Sequence, residues 1–234
     1  GSNVLAEYTG PHGREPKEMP LKKFPEIVFE DGKFDANDST NTYTQAGYTV
    51  SASSRVALND YKPYNAFNGT VVDDSDAWAS GPFYTANGGD GTRQTITWTG
   101  STQHTGEYIK LKLPHKLIIK HINIKARYGG LERTLPRAFT IIGSNDNTNW
   151  ETIHQETRTT DANENETHVM SGASKNTAFI YIALVPKNLG STHTGVACSI
   201  GEIEYYGTEE PAPPGDLSLD TTLKSRYNLP ETGD

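Results

Sequence analysis

The sequence predicts an all-β fold, a sandwich or barrel of short antiparallel strands, on three observations. Seven segments between residues 48 and 207 are short and rich in β-branched and aromatic residues, and several alternate apolar with polar. Their connections (GGDG, LPHK, YGG, SNDNTN, KNLGSTHTG) are crowded with Gly, Pro, Asn and Asp, the residues that turns require. No window of about 11 residues carries a helical period. Many short strands over this length bury their apolar faces by closing into a sandwich or a barrel.

Residues 1–20 carry Pro, Gly, Lys and Glu without periodicity, as a linker or extended arm would, and the leading Gly1-Ser2 reads as a cloning scar. FPEIVFEDGKF (Phe24 to Phe34) is an apolar run with a DG turn, expected as a hairpin packed on the main domain. A polar bridge, DANDSTNTYTQAG, completes an N-terminal extension over 1–45. The main domain spans 46–208, with strands at YTVSAS, QTITW, YIKLKL, KLIIKHINIKA, AFTIIGS, TAFIYIALV and GEIEYYG. Over 209–234, TEEPAPPGD closes with three prolines and reads as an exit linker, and LSLDTTLKSRYN as the start of a following module. LPETG, in the final LPETGD, is the sorting motif of cell-wall-anchored proteins. No apolar tail or basic residues follow it, so it reads as an engineered handle or a coincidence.

The net charge of −8 argues against nucleic acid as a partner, because phosphate binding needs a cationic face. No apolar run approaches the roughly 18–20 residues of a membrane span. The single cysteine, Cys198, excludes an intramolecular disulfide, and its apolar setting GVACSIGEIE reads as a core thiol. The seven histidines are scattered with no close-spaced pair, which argues against zinc. Trp78, Trp98 and Trp150 read as structural, with sugar stacking left open for Trp98. Trp150 is expected to pack inward beneath a wet SNDNTN tip.

YTVSASS, YNAFNG, DAWASG, GEYIKLKLP, INIKARYG, LPRAFTIIGSNDNTNWETI and IGEIEYYG follow one another in an order that resembles the discoidin, or coagulation factor 5/8 type C, family, which includes the galactose-binding-like carbohydrate modules. The resemblance covers about two-thirds of the chain. It implies an eight-stranded jelly-roll β-sandwich of two antiparallel sheets. Binding loops sit at one end and the termini lie together at the other.

It also implies a calcium site in NAFNGTVVDDSDAWASG (Asn65 to Gly81) and the last strand. Placed on this sequence, its ligands are Asn68, Asp76 and Glu202, with Asp73 in support and carbonyls of 65–73 adding oxygens, in keeping with a hard cation that takes about 6–8 oxygens. The family has Asp where this chain has Asn68, so one full charge is missing. The plainer reading of DDSD is a solvated acidic loop.

Four loops at that end supply candidate ligand contacts: Tyr84 in GPFYTANGGDGTRQ; Arg127, Tyr128 and Arg133 in RYGGLERTLPR; Asn188 and His193 in PKNLGSTHTG; and RVALNDYKPYN. Sugars need an aromatic face for the apolar side of a pyranose and planar polar groups for vicinal hydroxyls. Arg127 has the alternative of locking its loop through Glu132 or an Asp, and Tyr128 of packing on the core edge. No paired carboxylates, nucleophile motif or phosphate loop appears, so catalysis is not expected. The reading is a noncatalytic, calcium-stabilised, lectin-like module of a larger extracellular or surface protein, with glycans and neighbouring modules as partners. A membrane- or protein-binding adhesion module is the alternative.

Overall fold

The computed structural model describes residues 21–38, 41–56, 60–82, 84, 95–96, 104–105, 107–129, 132–190 and 197–210. The expectations for 1–20, for Trp98 and for the linker and LPETGD lie outside the described residues. In chain order the strands are β1 (Lys22–Phe24), β2 (Ala36–Asp38), β3 (Thr42–Gln45), β4 (Tyr48–Ala52), β5 (Trp78–Ala79), β6 (Thr95–Ile96), β7 (His104–Thr105), β8 (Ile109–Lys125), β9 (Pro136–Ser144), β10 (Glu151–Thr157), β11 (Asn165–Val169), β12 (Phe179–Leu189), β13 (Ser199–Ile200) and β14 (Glu202–Glu209). Single 3-10 turns form at Pro63–Phe67 and Glu132–Thr134. All pairing is antiparallel.

β8 organises the molecule. Its first half alternates, burying Ile109, Leu111 and Leu113, and pairs with β4 (Val50 opposite Leu111) and β12 (Ile182 opposite Leu111). Pro114, His115 and Lys116 are exposed where the strand turns. Beyond them Leu117, Ile119, Ile122 and Ile124 are buried, and this half pairs with β14 and β11. One layer is thus β10-β9-β12-β8-β4-β3-β2, the other β11-β8-β14-β1, with β8 in both. Between them lie Val50, Phe139, Ile141, Leu184, Ile203 and Tyr205, all at most 1% exposed. Each such side chain contributes about 1.5–3 kcal/mol by leaving water.

The N-terminal segment shares this core. β1 pairs with β14, Lys22 opposite Gly207, and Phe24 and Phe29 are buried with the rest. The expected hairpin over 24–34 does not form: β1 takes β14 as its partner, and residues 25–34 hold no strand. The DG turn is present, with Gly32 at φ 78°. Trp78 is fully buried and donates its indole N–H to the Ser54 carbonyl at 3.0 Å. Trp150 packs with Ile142, Ala183 and Val185, while Asn145 to Asn149 stay exposed. That tip is braced by Asp146, whose Oδ1 accepts from the Thr148 and Asn149 amides at 2.8 and 2.7 Å. Cys198 is a free, fully buried thiol, pushed up by burial.

Candidate functional site

The end of the layers where Glu202 lies opposite Lys125 gathers the acidic loop. Pro63 opens the 3-10 turn with its fixed φ, and Tyr64, Ala66 and Phe67 bury beneath it. The chain then reaches Gly69 at φ 75°, a conformation that suits glycine, and a Cβ there would lie 3.1 Å from Val28. This turn aims the Gly69 amide at Glu202 Oε2, 3.0 Å away. Asn68 donates its side-chain N–H to Asp76 Oδ1, and its own oxygen accepts from the Thr70 amide and hydroxyl at 3.0 and 3.1 Å. Asp76 Oδ2 accepts from the Thr70 hydroxyl and the Val72 amide, both at 2.9 Å.

Asn68 and Asp76 therefore meet directly, and Glu202 joins through the adjoining Gly69. Asp73 is exposed and braces the loop from within: its Oδ1 accepts from the Ser75 amide and hydroxyl at 2.8 Å and from the Asp76 amide at 3.1 Å. The Ser75 contacts hold its carboxyl below the usual carboxylate range. Glu202 is the opposite case. It is 3% exposed, and burial pushes its carboxyl up to about 8 against the single amide of Gly69. Two carboxyls and an amide are donor types that a hard divalent cation takes. As oriented, Asn68 offers nitrogen to Asp76, and a half-turn of the amide would present oxygen.

The same loop is tied on its other side. Arg127 Nε lies 3.3 Å from Asp74 Oδ1, and its guanidinium sits 5.6 Å from the Tyr61 ring. The Tyr61 hydroxyl donates to Asp74 Oδ2 at 3.0 Å. Arg127 Nε makes no aligned hydrogen bond, so the contact with Asp74 is an ion pair by distance. Of the two sequence readings for Arg127, the structure places it in the lock, through Asp74. Next to it Tyr128 is 54% exposed and borders an open depression of about 430 Å³, lined also by Val71, Lys125, Glu164 and Asn165. Behind Ala126 the packing is tight: a Cβ on Gly201 would meet the Ala126 carbonyl at 2.5 Å.

Arg133 is exposed, and its carbonyl accepts from the Gly190 amide at 3.2 Å. Asn188 is half-buried near the end of β12, opposite Ala138. His193 lies outside the described residues. Tyr84 is a correction: it is 3% exposed, its hydroxyl donates to the Pro186 carbonyl at 3.0 Å, and the Glu107 amide donates to it at 3.1 Å, so it is a core brace with no face left for a ligand.

Sequence reasoning missed two buried clusters. Glu107 is fully buried, and its Oε2 accepts from the hydroxyls of Ser53 and Ser54. His154, Glu156 and His168 converge from different strands. Only tertiary packing brings either set together, so no local spacing signals them.

The family model for the F5/8 type C domain matches residues 49–203. No curated protein matches the chain. Among solved structures, a fragment of a putative chitobiase from Bacteroides thetaiotaomicron is similar at 14% identity and TM-score 0.51, over 76% of this chain and 98% of that one. The family 32 carbohydrate-binding module of Clostridium perfringens NanJ, solved with galactose, is similar at 16% identity and TM-score 0.46, over 69% and 94%. That of Streptococcus pneumoniae EndoD is similar at 13% and 0.45, over 69% and 97%. At such identities the likeness is one of fold.

Proposed function

The chain belongs to the F5/8 type C domain family, and from that premise we propose that it is a noncatalytic carbohydrate-binding module of an extracellular or surface protein, with its loop end braced by calcium. The observation that carries the reading is the exposed Tyr128 ring at the lip of the open depression, with Lys125, Glu164 and Asn165 around it. An aromatic face suits the apolar side of a pyranose, and a cation, a carboxylate and an amide together donate to and accept from hydroxyls. Such a shallow site binds weakly alone and gains by repetition within a larger protein.

Asn68, Asp76 and Glu202 would hold the calcium. The ion would add positive charge beside the buried Glu202, beyond that of Lys23 and Lys125, and so fix the loop that Arg127 and Asp74 tie down next to Tyr128. Its role is to shape the surface.

A glycan array read with and without chelator tests the recognition, with galactose, the sugar in the NanJ structure, among the first probes. Binding that falls in Tyr128→Ala supports the reading, and absence of binding to every neutral and acidic glycan overturns it. The adhesion alternative has Val56 and Val72, 45% and 66% exposed, as apolar tips. Asp73 and Asp74 beside Val72 oppose an anionic lipid surface, and sedimentation with anionic liposomes separates the two readings.

A further inference from the structure

Among the described residues, β10 and β11 are the outer strands of the two layers, each paired on one side only, with β9 and β8 respectively. His154 and Glu156 come from β10 and His168 from β11, so one cluster spans the seam between two sheet edges. Both imidazoles are more than nine-tenths buried, at 6% and 8% exposed, and Phe139 packs edge-on to His168 at 4.9 Å. Glu156 keeps 25% of its side chain accessible, which leaves one open side.

We propose that His154 Nε2, His168 Nδ1 and the Glu156 carboxylate bind a divalent transition metal of the zinc class, which clips the two sheet edges together. Glu156 Oε2 lies 3.3 Å from His168 Nδ1 and 3.8 Å from His154 Nε2. One nitrogen from each ring and one carboxylate oxygen all fall within 4.8 Å of one another. A tetrahedral site with bonds of about 2.0–2.1 Å has ligand-to-ligand edges of about 3.4 Å, so shifts of under about 1.5 Å close it. His154 Nε2 is buried with no hydrogen-bond partner of its own.

The groups behind the ligands are also in place. His154 Nδ1 lies 3.0 Å from the Ser171 hydroxyl, which fixes the ring with Nε2 pointing inward. His168 Nε2 lies 3.3 Å from Glu166 Oε2, an ion-pair distance that is off the line of a hydrogen bond. Glu166 is in turn held by Arg158 and by the Asn163 amide at 2.8 Å. A carboxylate or hydroxyl behind each ligating imidazole is the usual support of a metal site. Two imidazoles with one carboxylate favour zinc-class ions over calcium, which prefers oxygen alone.

The test is calorimetric titration of the chelator-dialysed full chain with zinc alone. The expected result is about one zinc per chain, with a higher Tm and with visible d–d absorption when cobalt replaces zinc. Glu156→Gln keeps the side-chain shape and weakens zinc at least tenfold, Ser171→Ala weakens it by about tenfold, and Glu202→Ala leaves it unchanged. Should His154→Ala fail to fold, Glu156→Gln carries the test. The proposal is overturned if the wild-type chain binds no zinc, or if Glu156→Gln and Ser171→Ala bind it as tightly as the wild type.

Discussion

Around Glu202 the side chains are a second carboxylate and an amide, drawn from one short loop and brought to the first residue of β14. Around Glu156 two imidazoles join a carboxylate, and they arrive from β10 and β11, edge strands of the two layers that meet at one seam. The first set has amide and hydroxyl bonds that can be exchanged within the loop, as at Asn68. The second is set by the frame, with both rings buried and backed by fixed partners. One arrangement suits a large, adaptable, hard ion; the other suits a small ion that prefers nitrogen. The difference teaches that the donor types offered to a cation depend on whether a loop or the strands of the frame carry them. A loop contributes short oxygen side chains and carbonyls, whereas strands of two different layers can bring two rings together across a seam.

The contrast can be broken most forcibly at Trp78. Trp78→Ala removes the buried indole beneath the acidic loop and should cost about 3–5 kcal/mol. Denaturant unfolding should show that loss, and the calcium response should fall while any zinc response survives in the folded fraction. The next effect is the pH dependence of Glu202. Its carboxyl is raised from an ordinary 4.5 to about 8, so its contribution to stability is full below 4.5 and is lost as pH rises through about 8. In chelator, stability should decline across that window, by at most about 1.4 kcal/mol per pH unit. Glu202→Gln should flatten the decline, and calcium should reduce it. A decline that is the same in Glu202→Gln would remove the electrostatic half of the contrast.

Asn68→Asp sharpens it. A carboxylate beside Asp76 should lower Tm in chelator through like-charge repulsion and raise calcium affinity by about tenfold, read by calorimetry, because a full charge replaces a dipole. Tyr128→Ala should move stability least, within about 0.5 kcal/mol for an exposed side chain. Its effect should fall on glycan binding, weakened by about tenfold if the ring stacks on sugar.

The strands and their antiparallel pairing were legible in the sequence because period-two alternation is a local signal, as in IKLKL and INIK. Asn68, Asp76 and Glu202 all came from the family's order of motifs, and the structure places the first two in direct contact on one loop. The errors follow from the converse. FPEIVF carries a hairpin's composition, but the open edge of β14 was the better partner for β1. Tyr84 has the composition of a loop contact, yet its ring is spent between Glu107 and Pro186. The scattered histidines argued against zinc, but spacing along the chain says nothing of the rings of His154 and His168, which the fold brings within 6.1 Å, tilted by 44°.

β8 has a consequence for how the molecule comes apart. Because its first half belongs to one layer and its second half to the other, neither layer can peel away without tearing the same strand. The two layers should therefore melt as one cooperative unit. The amides of Leu111 and Ile122 should be among the last to exchange with deuterium, while the loop end, held by Asp74 and Arg127 at the surface, opens on its own and much sooner.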